Sequence, residues 1–171
     1  GKALGNGYAI TTIIGRREVM QQAQSSFISS TFWTERIGPT AALKTLEIME
    51  REKSWEKITN IGKKIHENIG RIAKKYELKI TQYGLPSLTS FRFESKNSII
   101  YKTLITQEML KKGYLASSSV YACTAHSSDI IEKYFDNLDP IFRLISECEN
   151  GRDVKKLIQG PISSVGFKRL N

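Results

Sequence analysis

A chain of 171 residues, 40% hydrophobic and 25% charged, has ordinary globular composition, which excludes a disordered segment and fits one domain or a domain with part of another. Two cysteines, Cys123 and Cys148, are too few for a disulfide framework and fit a reducing, cytoplasmic setting, while no apolar stretch approaches the roughly 20 residues of a membrane span. The formal charge of +9 raises nucleic acid or an acidic partner as a binding class, so the placement of the charge decides its meaning.

The chain opens "GKALGNGYAITTIIG", with Lys2 followed by two glycines and a run of β-formers. Residues 8–14 are dense in β-branched side chains and predict a strand ended by Gly15. "RREVMQQAQ" predicts a short helix, and "SSFISSTFWTERIGPT" a Ser/Thr-rich loop with Thr34 or Glu35 introducing the next helix. "AALKTLEIMERE" is helical, with Ala42, Leu46 and Met49 on one side.

A long helix runs from about Ser54 to Tyr76. Trp55, Ile58, Ile61, Ile65, Ile69 and Ile72 recur at helical spacing, and the lysines fall mostly on the other faces. Much of the excess charge therefore decorates a solvated helix face, and no RNA-binding aromatic motif or zinc-finger spacing accompanies it. A non-catalytic basic domain that binds nucleic acid or an acidic partner stands only as an alternative, and the preferred reading has no nucleic-acid or membrane partner.

"LKITQYG" and "SLTSFRFES" alternate apolar and polar residues around a Gly84-Leu85-Pro86 turn and predict two neighbouring strands. "SIIYKTLITQEMLKKG" predicts a helix stopped by Gly113. "YLAS" predicts a short strand, and "SSVYACTA" a loop or edge. "HSSDIIEKYFDNLDPIFRLISECE" predicts the last long helix, capped by Ser127 or Ser128, with Pro140 marking a kink or break. The order suggests an α+β unit with a small, mainly antiparallel sheet covered by helices on one face. The first stretch sits poorly in that unit, because a single strand needs a sheet from elsewhere.

Taken alone, the chemistry-bearing residues are ambiguous. A lysine such as Lys2 forms a Schiff base with a carbonyl cofactor when its amine is neutral, and Gly5 and Gly7 let the backbone approach a bulky ligand; a terminal turn explains them equally. Ser29, Ser30 and Thr31 suit a phosphate or a capping loop. Phe32 and Trp33 suit a planar ligand or a subunit contact. His126 lacks a partner cluster, two histidines exclude a multi-histidine metal site, and Cys123 reads as a buried thiol. No metal site is predicted.

Three stretches taken together resemble the class-III pyridoxal-phosphate aminotransferases, the family that includes glutamate-1-semialdehyde aminomutase. "GKALGNGYAITTIIGRREVM" resembles the segment around the Schiff-base lysine. "SSTFWTERIGPTAALKTLE" resembles the loop and helix whose threonine binds the cofactor phosphate of the partner subunit. "GYLASSSVYACTAHSSDIIEKYF" resembles the C-terminal signature. The resemblance implies pyridoxal 5′-phosphate as cofactor, Lys2 as its covalent anchor and catalytic acid/base, and Ser30 and Thr31 at its phosphate across a homodimer interface. It also implies small-molecule partners, an amino donor and a carbonyl acceptor (an oxo acid, aldehyde or oxo sugar). The fold implied is the small C-terminal domain of a fold-type-I transferase, over 51–171, preceded over 1–50 by the last piece of the large α/β cofactor domain.

On that reading the remaining ring partners lie upstream of Gly1, and the 171 residues alone are inactive. The stretch from Ala116 to His126 holds neither an acidic residue nor an arginine to clamp a substrate carboxylate, leaving Arg36 as an unassigned candidate. An aminomutase-type isomerase is the alternative within the family.

Overall fold

A computed structural model describes residues 2–164 and Gly166. The chain divides into two compact units, Gly1–Trp55 and Glu56–Asn171.

In the first unit, α1 (Arg17–Met20) runs into a 3₁₀ turn over Gln21–Ser25, and α2 spans Ile37–Glu52. Residues 9–16 form no regular element and join no ladder among the described residues, so the strand expected over 8–14 is not formed. A lone segment has no backbone partners to make it a strand, and Ile13 and Ile14 stay exposed. The start of α2 also differs in detail. Arg36 occupies the capping position without a side-chain bond, and Glu35 Oε1 accepts from the Gly38 N–H at 2.5 Å instead. On α2 Ala42 is buried and Met49 half-buried, whereas Leu46 is exposed. Lys53, in the left-handed region at φ 47°, ends the helix.

The second unit holds the core. Here α3 (Ser54–Lys75), β1 (Ile80–Tyr83), β2 (Leu88–Phe93), α4 (Ser98–Leu110), β3 (Ser119–Tyr121) and α5 (Ser128–Glu149) are followed by a 3₁₀ turn at Val154–Leu157. The sheet is antiparallel in the order β1-β2-β3. Ile80 pairs with Phe93, and Thr89 with Val120. Period-two alternation turns Thr89, Phe91 and Phe93 toward the helices and leaves Arg92 exposed on the other face. Phe93 packs on Tyr101 of α4 and Phe142 of α5, with ring centroids 5.5 and 5.4 Å apart. Ile65, Ile69 and Ile72 of α3 join this cluster, as the spacing of isoleucines predicts, while Trp55 remains half exposed.

The short strand sits five residues later than "YLAS". The N–H of Gly113, at φ 84°, bonds Leu110 and that of Tyr114 bonds Met109, so the chain after α4 is still closing the helix end. Pairing begins where Phe91 N–H meets the Ser118 carbonyl and ends where Ala122 N–H meets that of Ser87. Ser127 caps α5 by accepting from the Ile130 N–H. The helix continues through Pro140, which lies on its exposed side, so no break occurs there. None of the described helices is long and apolar enough to cross a membrane.

Candidate active site

Lys2 leads into two successive tight turns, Asn6 N–H to the Ala3 carbonyl at 3.2 Å and Tyr8 N–H to that of Gly5 at 3.1 Å. The sequence Gly-Asn-Gly is what this path needs. Asn6 (φ 45°) and Gly7 (φ 108°) both occupy positive φ, which only glycine, and to a lesser degree asparagine, adopts readily. Gly5 serves packing instead, since a Cβ there would stand 2.1 Å from the Tyr8 carbonyl and 2.8 Å from Ile10 Cγ2. The same segment rests on the first turn of α2. A Cβ at Gly38 would lie 2.7 Å from the Ala9 carbonyl and 3.3 Å from Ile10 Cβ. The turns carrying Lys2 are thereby tied to the start of α2 by backbone close approach. The Lys2 side chain is exposed and makes no hydrogen bond among the described residues.

Ser30 and Thr31 stand in the loop before α2. Ser30 Oγ accepts from the Phe32 N–H at 3.3 Å, and the following turn is closed by Glu35 N–H to the Phe32 carbonyl at 3.3 Å. Both residues are exposed, as are Phe27, Phe32 and Trp33. No hydrogen bond among the described residues joins Lys2 to Ser30 or Thr31. A carbonyl cofactor with a phosphate handle asks for an uncommitted amine and for hydroxyl donors. Lys2 and Thr31 meet both demands, with Ser30 ordering the loop, so the residues present fit such a group.

A shallow, open depression escaped the sequence reading. Tyr8, Arg36, Ile37, Thr40, Ala41 and Lys44 border it in the same unit, and it lies largely open to solvent. The spacing of Arg36, Thr40 and Lys44 by four residues is visible in the sequence, but Tyr8, which completes the border, comes from a distant stretch. Lys44 Nζ is held by both carboxylate oxygens of Glu47, at 2.7 and 2.9 Å.

In the second unit, Tyr114, Tyr121, Tyr134 and His126 help line a groove of about 300 Å³. His126 Nδ1 faces the Cys123 N–H at 3.4 Å, which fits a structural role ahead of α5. Cys123 is exposed, contrary to the expected burial, because the backbone after β3 turns out to solvent before α5 begins. The buried cysteine is Cys148, whose thiol burial pushes up. No group of three or more His, Cys, Asp or Glu side chains among the described residues is arranged to hold a metal ion.

The sequence profile of the family Aminotransferase class-III matches residues 1–121. A 3-aminobutyryl-CoA aminotransferase of Cloacimonas acidaminovorans is 29% identical over 159 residues, covering 92% of this chain and 37% of the relative. A glutamate-1-semialdehyde 2,1-aminomutase of Methanocaldococcus jannaschii is 23% identical, covering 83% and 37%. The chain thus spans a little over a third of the length of these curated relatives. Among solved structures, the PLP internal aldimine form of the Sphingopyxis sp. MTA144 FumI protein superposes with a TM-score of 0.78 at 19% identity. It covers 92% of this chain and 39% of that one, a likeness of fold.

Proposed function

The chain belongs to the class-III aminotransferase family, and from that premise we propose that it is part of a pyridoxal-phosphate enzyme that moves an amino group from an amino donor to an oxo acid, aldehyde or oxo sugar. The observation that carries the reading is the family match over residues 1–121, which includes Lys2, Ser30 and Thr31.

When bound, pyridoxal phosphate supplies an electron-poor ring that accepts the electron pair released from the substrate carbon. Lys2 Nζ would be the covalent anchor, and when released it would serve as the base that moves a proton from the amine-bearing carbon of the substrate to the C4′ carbon. Thr31 Oγ1 would donate to the phosphate, and Ser30 keeps the loop in register by accepting from the Phe32 N–H. The exposed Phe32 and Trp33 beside them support a homodimer in which this loop serves the partner's cofactor. We assign the assembled enzyme to the cytoplasm on cysteine usage. The 1–50 segment is read as the end of a large cofactor domain and 51–171 as the small domain.

The aminomutase reading keeps a place because relatives of that name match 81–84% of this chain. It differs in moving the amino group within one substrate rather than between two, not in the role of Lys2. In the complete enzyme, Lys2→Ala should lower transamination by about 10²–10⁴-fold or more, with partial rescue by added methylamine. Undiminished turnover in that variant would overturn the assignment of Lys2.

A further inference from the structure

We propose that Glu35 is a positioning residue for the cofactor phosphate: its carboxylate fixes the loop that carries Thr31 onto the first turn of α2. This rests on the aminotransferase reading above, in which Thr31 Oγ1 is the phosphate donor. Thr31 does not set its own place. It is exposed, and its hydroxyl has no hydrogen-bond partner among the described residues, so the backbone around it decides where it stands.

That backbone is held by a relay of hydrogen bonds. Ser30 Oγ accepts from the Phe32 N–H at 3.3 Å. The Phe32 carbonyl accepts from the Glu35 N–H at 3.3 Å. Glu35 Oε1 accepts from the Gly38 N–H at 2.5 Å. The first two bonds are long and stay within the loop. The third is the shortest of them, and it reaches α2.

The helix needs this cap, because its first N–H groups lack intrahelical partners. Arg36, at the capping position, offers no side-chain bond, and Pro39 has no N–H to satisfy. The Thr40 N–H already bonds the Arg36 carbonyl at 3.1 Å. The Gly38 N–H is left to Glu35, a charged acceptor at the positive end of the helix. Glycine at 38 permits the approach, since a Cβ there would stand 3.2 Å from Glu35 Oε1 and 2.7 Å from the Ala9 carbonyl. The segment that follows Lys2 and the loop that holds Thr31 thus both rest on Gly38. The carboxylate, being anionic, would repel a phosphate, so Glu35 acts on it only through the loop. A loop that spends less time in its phosphate-binding arrangement binds more weakly by that fraction.

The test uses the complete enzyme freed of cofactor, titrated with pyridoxal 5′-phosphate and separately with pyridoxal, with imine absorbance as the readout. Glu35→Ala should weaken pyridoxal phosphate by about 3–30-fold, the range set by loss of one helix cap, and leave pyridoxal unchanged. Glu35→Gln, which keeps an oxygen acceptor at the same reach, should restore most of the affinity. Thr31→Val should also weaken pyridoxal phosphate, and adding Glu35→Ala to it should cost little more, because both act on one contact. Glu35→Asp, one methylene short of Gly38, should show the same selective loss to a smaller degree, and it reads the effect should the alanine variant fail to fold.

Equal weakening of both cofactor forms would assign Glu35 to the general stability of α2 and overturn the inference. Unchanged affinity for pyridoxal phosphate would overturn it too, as would full additivity with Thr31→Val; the aminotransferase reading would stand in each case. A wild-type enzyme that forms no imine with either aldehyde would remove that reading, and this inference with it.

Discussion

Single residues in this chain do separable jobs. Gly5 and Gly7 look alike in the sequence. One is required by a close backbone approach, the other by a positive φ. The resemblance, rather than residue chemistry, is what distinguishes Lys2 from the other surface lysines. Titration makes the same point for two tyrosines. Burial, and then the hydrogen bond donated to the Glu149 carboxylate, pushes the Tyr101 phenol up to about 12 from an ordinary 10.0. Burial alone lifts Tyr134 to about 12. Both folded pKa values exceed the unfolded one, so between them the folded state holds protons that the unfolded chain releases. The stabilisation is fully present below about pH 10 and is lost as pH rises toward 12, by at most about 1.4 kcal/mol per pH unit per group. Urea midpoints measured from pH 9 to 11.5 should fall across this window, and less steeply in Tyr101→Phe. A flat profile would show that neither phenol is held in its neutral form by the fold.

At the scale of elements, periodicity was legible wherever a side chain meets a neighbour in its own unit. The isoleucine stripe of α3 and the alternation in β1 and β2 gave the core directly. Two strand assignments failed for one physical reason, since a strand is defined by its partner. Residues 8–14 have β-forming side chains but no ladder. "YLAS" pairs with nothing among the described residues, whereas Ser119–Tyr121, inside the stretch read as a loop or edge, pairs with β2 at the sheet's edge. The contact of α3 with the β1–β2 hairpin depends on Gly62. A Cβ there would stand 1.8 Å from the Pro86 carbonyl oxygen. Helix propensity alone predicts that Gly62→Ala stabilises by about 0.5–1 kcal/mol. The close approach reverses the sign, and a loss of about 1–3 kcal/mol is expected from overpacking against backbone. Chemical denaturation of the variant decides between the two, since a gain in stability would mean that α3 does not sit so near the turn.

For the molecule as a whole, the two units differ in how much of themselves the sequence explains. The second unit has a continuous apolar core drawn from three helices and the sheet, which accounts for its α+β architecture. The first exposes Ile13, Ile14, Phe27 and Trp33, so its own core explains less of its sequence. The candidate site belongs to this first unit. Its landmarks Lys2, Ser30 and Thr31 were visible through their resemblance to a family. The shallow depression between Tyr8 and Arg36 was not visible, because it needs the chain to fold two stretches together. The central claim is that Lys2 carries the cofactor. Pyridoxal phosphate is added to the complete enzyme, the imine reduced with borohydride, and the digest examined by mass spectrometry. The account predicts a pyridoxyl-phosphate adduct on the peptide containing Lys2; an unmodified Lys2 with the adduct on another lysine, or no adduct at all, would contradict it.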